Sequence, residues 1–401
     1  MPKPSFAGRW QQVNDWLLAH RTLWQPTLFT EPAPAWTRQW PELSDRLAGL
    51  SDEDCRVFES EPALLARELE SLLPSLAKFP ELTDVPVLAG DADPCTLPGV
   101  RAHDMPGRKR LQSGAFAAAV RPLEAPIVDW CCGKGHLSRT LLPFCDHSIR
   151  GFEWDTSLVE DGNRLARKFG DSISLQCQDV MAEGLKLPSE AHGVALHACG
   201  DLHRRLLDRA ASQRLPRVSI APCCFHLSAS KDYRPLSDIA RHYQPGLAMT
   251  KADLKLAVEE TVTAPARVRK QVKTFSRWRL GFDGLQRFLR GVDEYLPVPS
   301  HPASVGRGDF RQFCQWAAAK KQLTLDESVD YSAWEAHGLR RLAQVRRHEL
   351  ARHLFRRPLE LWLVLDYAVF LEEQGYRVRL GTFCERSLTP RNLLIDAVLV
   401  D

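Results

Sequence analysis

No stretch of this chain is apolar for long enough to span a membrane, since none approaches the roughly 18 uninterrupted apolar residues required. The best candidate, Leu359 to Leu371, carries Glu360 and Asp366 inside it. The opening MPKPSFAGRWQQ lacks the apolar core of a secretory leader, so the expectation is a cytoplasmic protein with no membrane partner. Cysteine is too sparse for a disulfide scaffold, eleven in 401 residues, and no C-x2-C pair occurs. The thiols therefore read as reduced. No internal repeat is visible, and 44% hydrophobic with 26% charged residues excludes a disordered chain, a fibre or a low-complexity scaffold. The length corresponds to about two to three domains.

Charge nearly balances at +3, but not evenly. The first hundred residues carry −7 and the remainder +10. An acidic front on a basic body suggests a polyanionic partner for the body.

Four stretches differ in pattern. Residues 1–105 read as helices and loops forming an N-terminal cap, with Leu64 to Leu76 at helical spacing and Ser60 as its candidate cap. Residues 106–228 alternate short apolar runs with helix-compatible segments. IVDWCC, SIRGFEW, ISLQCQDV, GVALHAC and RVSIAPCC are strand candidates about 20–25 residues apart, the spacing of βα units in a parallel sheet. Residues 229–357 read as a basic helical insert. Residues 358–401 return to a helix, LELWLVLDYAVFLEEQG, and two strands, YRVRLGTF and NLLIDAVLV, so the insert interrupts one sheet.

The segment from Val128 to Ser138 carries the most chemistry. A buried strand delivers Asp129, and a turn with Gly133 and Gly135 opens a helix near His136. Glycine serves where backbone passes close to a ligand or needs positive φ. In a dinucleotide fingerprint the third glycine would fall at Ser138, which argues against NAD. An acid before the turn suits a cofactor bearing a positive amino group. Glu153, ending the second strand, is placed for ribose hydroxyls, and Asp179, after the third, for an adenine amino group. This order resembles a class I S-adenosylmethionine (SAM)-dependent methyltransferase, with Cys131 standing where the family loop usually has another glycine.

His197, Cys199 and Asp201 close the fourth strand, and Cys223, Cys224 and His226 close the fifth. With strand order 3-2-1-4-5 these loops and Cys131/Cys132 meet at one sheet edge. Three readings compete: soft residues packing at strand ends; a substrate-facing set with a thiolate nucleophile and proton acceptors; or a metal site. No metal is expected, because adjacent cysteines chelate one ion poorly. The candidate cofactor residues are Asp129, Cys131, Gly133, Gly135, Glu153, Asp179 and His197. Those facing the methyl acceptor are Asp201, Cys223, Cys224 and His226.

VDWCCGKGHLSR, HACGDL and PCCFH together resemble the methyltransferase domain shared by the methyltransferase-like protein 25 and ribosomal RNA adenine dimethylase domain-containing group. A more distant similarity is to tRNA 2′-O-methyltransferases of the Trm-thirteen type. Met105–Arg110 sits where the group has a basic motif, and Arg357–Glu360 and Leu388–Asn392 resemble its closing segment. The resemblance covers about residues 103–226 and 356–396. It implies a Rossmann-like α/β fold, SAM as cofactor and RNA, either tRNA or rRNA, as substrate.

The insert supports RNA separately. Arg267, Arg269, Lys270, Lys273, Arg277, Arg279, Arg287 and Arg290 lie within 264–291, interleaved with Phe275, Trp278, Phe282 and Phe288. A second run, 340–357, has seven arginines. Basic groups neutralise phosphates and aromatic faces stack on unpaired bases. The alternative is an amphipathic helix whose aromatics face a core. The expectation is a SAM-dependent RNA methyltransferase. Its rivals are a methyltransferase of proteins or small molecules, and a noncatalytic RNA-binding module.

Overall fold

The computed structural model describes residues 5–88, 90–259, 266–302 and 305–400. Strands form where the apolar runs lie. β1 (Ile127–Trp130), β2 (Ile149–Glu153), β3 (Ile173–Cys177), β4 (His192–Cys199), β5 (Arg217–Cys223), β6 (Tyr376–Thr382) and β7 (Leu393–Leu399) make one sheet of order β3-β2-β1-β4-β5-β7-β6. The first five pair in parallel, and β7 runs antiparallel to both β5 and β6. All four residues of β1 are buried, as a parallel strand covered on both faces requires. The expected α/β sheet, interrupted by the insert, is present. Several of the expected runs overshoot the strand ends because the chain leaves the ladder there to form loops at the carboxyl edge.

The chain divides into two compact units, one of Met1–Ala19, Glu81–Thr263 and Arg356–Asp401, the other of His20–Pro80 and Ala264–Phe355. The sheet lies in the first. There α1 (Gly107–Val120) packs Phe116, Ala117 and Val120 against Ile127, Ile149, Val194 and Leu394, with Leu137 of α2 (His136–Leu141) in the same cluster. α3 (Asp201–Ser212) connects β4 to β5.

In the second unit, α4 (Ala266–Arg290) and α5 (Tyr331–His353) are the long helices. Ala264, where the first basic stretch begins, lies outside the described residues. Phe275, Trp278 and Phe282 are buried with Phe310 and Phe313, so these three aromatics form a core and are not a stacking surface. Phe288 is 72% exposed. Many arginines serve the fold: Arg277 pairs with Glu335, Arg279 donates to the Val298 and Pro299 carbonyls, and Arg287 pairs with Asp283 and Asp293. In the second basic run Arg341, Arg347 and Arg352 donate to the carbonyls of Leu28, Leu50 and Trp24, and Arg346 pairs with Glu59. Arg267, Lys270 and Lys273, on the first turns of α4, project into solvent. Ser60 does not cap the following helix. It ends Asp52–Ser60 with its hydroxyl donating to the Val57 carbonyl, and Pro62, which has no N–H to cap, starts Pro62–Glu68.

The chain re-enters the first unit through α6 (Arg356–Glu373), the apolar helix of the sequence reading. Its Asp366 is fully buried but satisfied by the Tyr233 hydroxyl at 2.7 Å, the Ser237 hydroxyl at 2.8 Å and the N–H groups of Leu236 and Ser237. No helix among the described residues is long and apolar enough to cross a membrane.

Candidate active site

The carboxyl edge of β1, β2 and β4 assembles a polar site on a buried floor. Asp129 is 2% exposed, and its Oδ2 accepts from the Ser138 N–H at 3.0 Å and the Ser138 hydroxyl at 2.7 Å. Both bonds fall on one oxygen, leaving Oδ1 without a hydrogen-bond partner among the described residues. Burial pushes this carboxyl up to about 6 against the opposing pull of the Ser138 bonds.

The turn after β1 needs left-handed backbone at three places: Cys131 (φ +58°), Gly133 (φ +56°) and Gly135 (φ +70°). Cys131 therefore occupies a conformation that glycine takes freely, at a cost on the order of 1 kcal/mol. Its thiol is pushed up to about 12 by burial and by the Glu153 and Asp129 charges, so it is no nucleophile at neutral pH. A Cβ on Gly133 would meet nothing within 4 Å, whereas one on Gly135 would press on Leu175 at 3.0 Å. Gly133 borders open space and Gly135 is packed.

Glu153 clamps this turn. Its Oε2 accepts from the Gly133 N–H at 3.0 Å, and its Oε1 accepts from the N–H groups of Trp154 and Asp155. Three of about four acceptor positions are used, which leaves one for a further donor. Trp154, 77% exposed beside it, escaped the sequence reading. Asp179 is exposed in the turn after β3 and accepts from the Met181 N–H at 2.8 Å.

His197, at φ +67°, donates from Nε2 to Gln112 Oε1 at 2.8 Å, and Gln112 donates in turn to the Leu388 carbonyl. Burial and then Lys109 lower the imidazole to about 4, so it is neutral and presents Nδ1 as an acceptor. Lys109 also bears on Asp129 and His136. Lys109 and Gln112 belong to α1, and the only sequence signal toward them is the basic Met105–Arg110 string.

Cys199, Cys223 and Cys224 converge, with the Cys199 and Cys223 sulfurs 3.5 Å apart. Contacts with Cys199 and Cys223, then the Arg391 and His226 charges, draw the Cys224 thiol down, and contacts with Cys199 and Cys224 together with burial push Cys223 up. Cys223 is only 4% exposed, and Cys224 is half-buried. Asp201 accepts from the Ala229 N–H at 2.8 Å, tying down the loop that carries His226. His226 Nδ1 is buried with no hydrogen-bond partner among the described residues.

Residues 115–231 match a family model described as a methyltransferase domain. The match spans β1 to β5 and every candidate residue from Asp129 to His226. No curated protein matches the chain. Among solved structures the chain is similar to a geranyl diphosphate methyltransferase in complex with GPP and sinefungin, at 16% identity over 28% of this chain and 44% of that one, TM-score 0.24. It is also similar to the Pyrococcus abyssi tRNA (uracil-54, C5)-methyltransferase in complex with S-adenosyl-L-homocysteine, at 17% identity over 29% and 28% of the two chains, TM-score 0.24. A third is an rRNA methylase from Streptococcus thermophilus, at 13% identity over 29% and 70%, TM-score 0.23. The first two are thus covered over less than half of their own length.

The raised Asp129 carboxyl predicts a pH-dependent stability change. Below about pH 4 the group is protonated both folded and unfolded and costs nothing. Between about 4 and 6 the unfolded chain releases the proton first, so the native state loses stability as pH rises. Above about 6 the loss is complete, and the rise from the ordinary 3.8 to about 6 corresponds to about 3 kcal/mol. Asp129→Asn keeps an oxygen for Ser138, so the ligand-free variant is expected to melt higher than wild type at pH 8, with the gain vanishing near pH 4. Melting curves across that range check it.

Proposed function

We propose that this chain is a SAM-dependent methyltransferase acting on RNA. The observation that carries the cofactor is the pairing of an unshared Asp129 Oδ1 with the open space over Gly133. A buried carboxylate oxygen beside a glycine turn suits an ammonium group, and the remaining acceptor position of Glu153 suits a ribose hydroxyl. Bound there, SAM supplies an electrophilic methyl group. The chain's own part is positioning and proton handling. Asp129 fixes the ammonium, Glu153 holds both turn and ribose, and the Gln112-held His197 keeps its acceptor nitrogen oriented. The acceptor is assigned to the loop after β5, where His226 and Cys224 face it and Asp201 and Cys223 act as positioning residues. Asp179 remains the candidate for the adenine amino group.

RNA is favoured by the exposed first turns of α4, where Arg267, Lys270 and Lys273 project with no acid between them. The resemblance to the methyltransferase-like protein 25 group points the same way. The test is transfer of a labelled methyl group from SAM into extract of cells lacking the gene, with the product treated with RNase or protease. RNase is expected to release the label, and transfer is expected to fall steeply between low and physiological salt. The triple variant Arg267→Glu, Lys270→Glu, Lys273→Glu is expected to lose about tenfold or more in transfer at physiological salt, with SAM affinity unchanged. Label released by protease, or transfer insensitive to salt, would favour a protein or small-molecule acceptor. RNA binding without SAM binding would leave a noncatalytic module.

A further inference from the structure

Two strand ends bend so that three sulfurs meet. β4 and β5 lose register between Leu196 and Cys199, and His197 there has φ +67°. Cys224, just past β5, has φ +48°. In a regular strand Cys223 and Cys224 would point to opposite faces. The left-handed residue breaks that alternation, so consecutive cysteines serve one point. The Sγ atoms of Cys199, Cys223 and Cys224 all lie within 4.8 Å of one another. Such backbone conformations are strained for a non-glycine residue and gather at functional sites. Simple packing of thiols requires neither bend.

We propose that Cys199, Cys223 and Cys224 bind one soft divalent cation, zinc by its preference for thiolate, through three protein ligands and a fourth position left to water. Zinc–sulfur bonds of about 2.3 Å in a tetrahedral site set sulfurs about 3.8 Å apart. The cluster brackets that figure, with Cys199 and Cys223 at 3.5 Å and all three sulfurs within 4.8 Å of one another. Cys199 and Cys224 are half-buried, which gives the ion an entry path and water a place to coordinate. Three thiolates on a divalent ion leave one excess negative charge, and the Arg391 cation acts on both Cys199 and Cys224. The missing C-x2-C spacing is no obstacle, because the ligands come from two strands and adjacent sulfurs are turned together. The site stands independently of the methyl-transfer reading.

The test uses the full chain, purified reduced and without chelator. Elemental analysis is expected to find about one zinc per chain. Cobalt titration is expected to give an intense thiolate-to-metal charge-transfer band. Cys199→Ser and Cys224→Ser are expected to weaken cobalt binding by more than about tenfold, while Cys177→Ser, an exposed thiol elsewhere, leaves it unchanged. If either ligand variant fails to fold, the wild-type titration decides alone. A folded, reduced wild-type chain with neither zinc nor a cobalt band overturns the proposal. So does a band that survives both ligand substitutions. SAM binding, measured on the same samples, reports separately on the cofactor reading.

Discussion

Gly133→Trp is expected to abolish measurable SAM binding, a loss of at least about a hundredfold or ~2.7 kcal/mol, while the chain stays folded. The position has left-handed φ, so any side chain costs on the order of 1 kcal/mol. The Cβ itself adds no steric cost, because it meets nothing within 4 Å. An indole there enters the open space that the cofactor is assigned to occupy, and the Gly133 N–H to Glu153 bond needs no change. Gly135→Ala is the informative contrast, since its Cβ presses on Leu175 and its first effect is on the melting temperature. Isothermal titration with SAM and thermal melts on both variants separate the two behaviours. Unchanged SAM affinity in folded Gly133→Trp would remove the site from this turn.

The sheet was legible because parallel strands buried on both faces are written as near-continuous apolar runs. IVDW and GVALHAC could hardly be read otherwise. The acids at the ends of β1 and β2 were legible for the same reason, as polar residues closing apolar runs. Their second duties were not. Nothing local shows that Glu153 accepts from Gly133, twenty residues earlier, or that Gln112 holds His197 across 85 residues. Strand order put the cysteine loops at one edge, but the backbone bends at His197 and Cys224 that join the sulfurs leave no mark in composition. The aromatics of α4 illustrate the converse. Phe275, Trp278 and Phe282 share helical spacing with basic residues, and only the packing partners Phe310 and Phe313 decide that they are core. In the arginine-rich segment 340–357, several cations are spent on carbonyls and acids of the second unit's own N-terminal helices, an outcome that net charge does not reveal.

Gly200→Ala is expected to destabilise the first unit by ~3 kcal/mol or more and to lower turnover with it. Gly200 has φ +57° and ψ −125°, a backbone region closed to L side chains. A Cβ there would stand 1.8 Å from the Leu227 carbonyl oxygen and 2.5 Å from its carbon. That oxygen accepts the Asp201 N–H at 3.1 Å, and the Asp201 carboxylate holds Ala229. The methyl group must therefore push residues 227–229 off the start of α3, breaking both bonds and moving the loop that carries Cys224 and His226. The melting temperature is expected to fall by several degrees, and methyl transfer to fall further than SAM affinity, because Asp129 and Glu153 sit on other strands. A variant with wild-type melting and turnover would show that the loop yields without cost. Asp201→Asn separates the two contributions: it removes the charge but keeps an acceptor for Ala229, so stability is expected to drop by no more than about 1 kcal/mol. A turnover loss in Asp201→Asn larger than that stability change would then place the carboxylate charge itself at the acceptor.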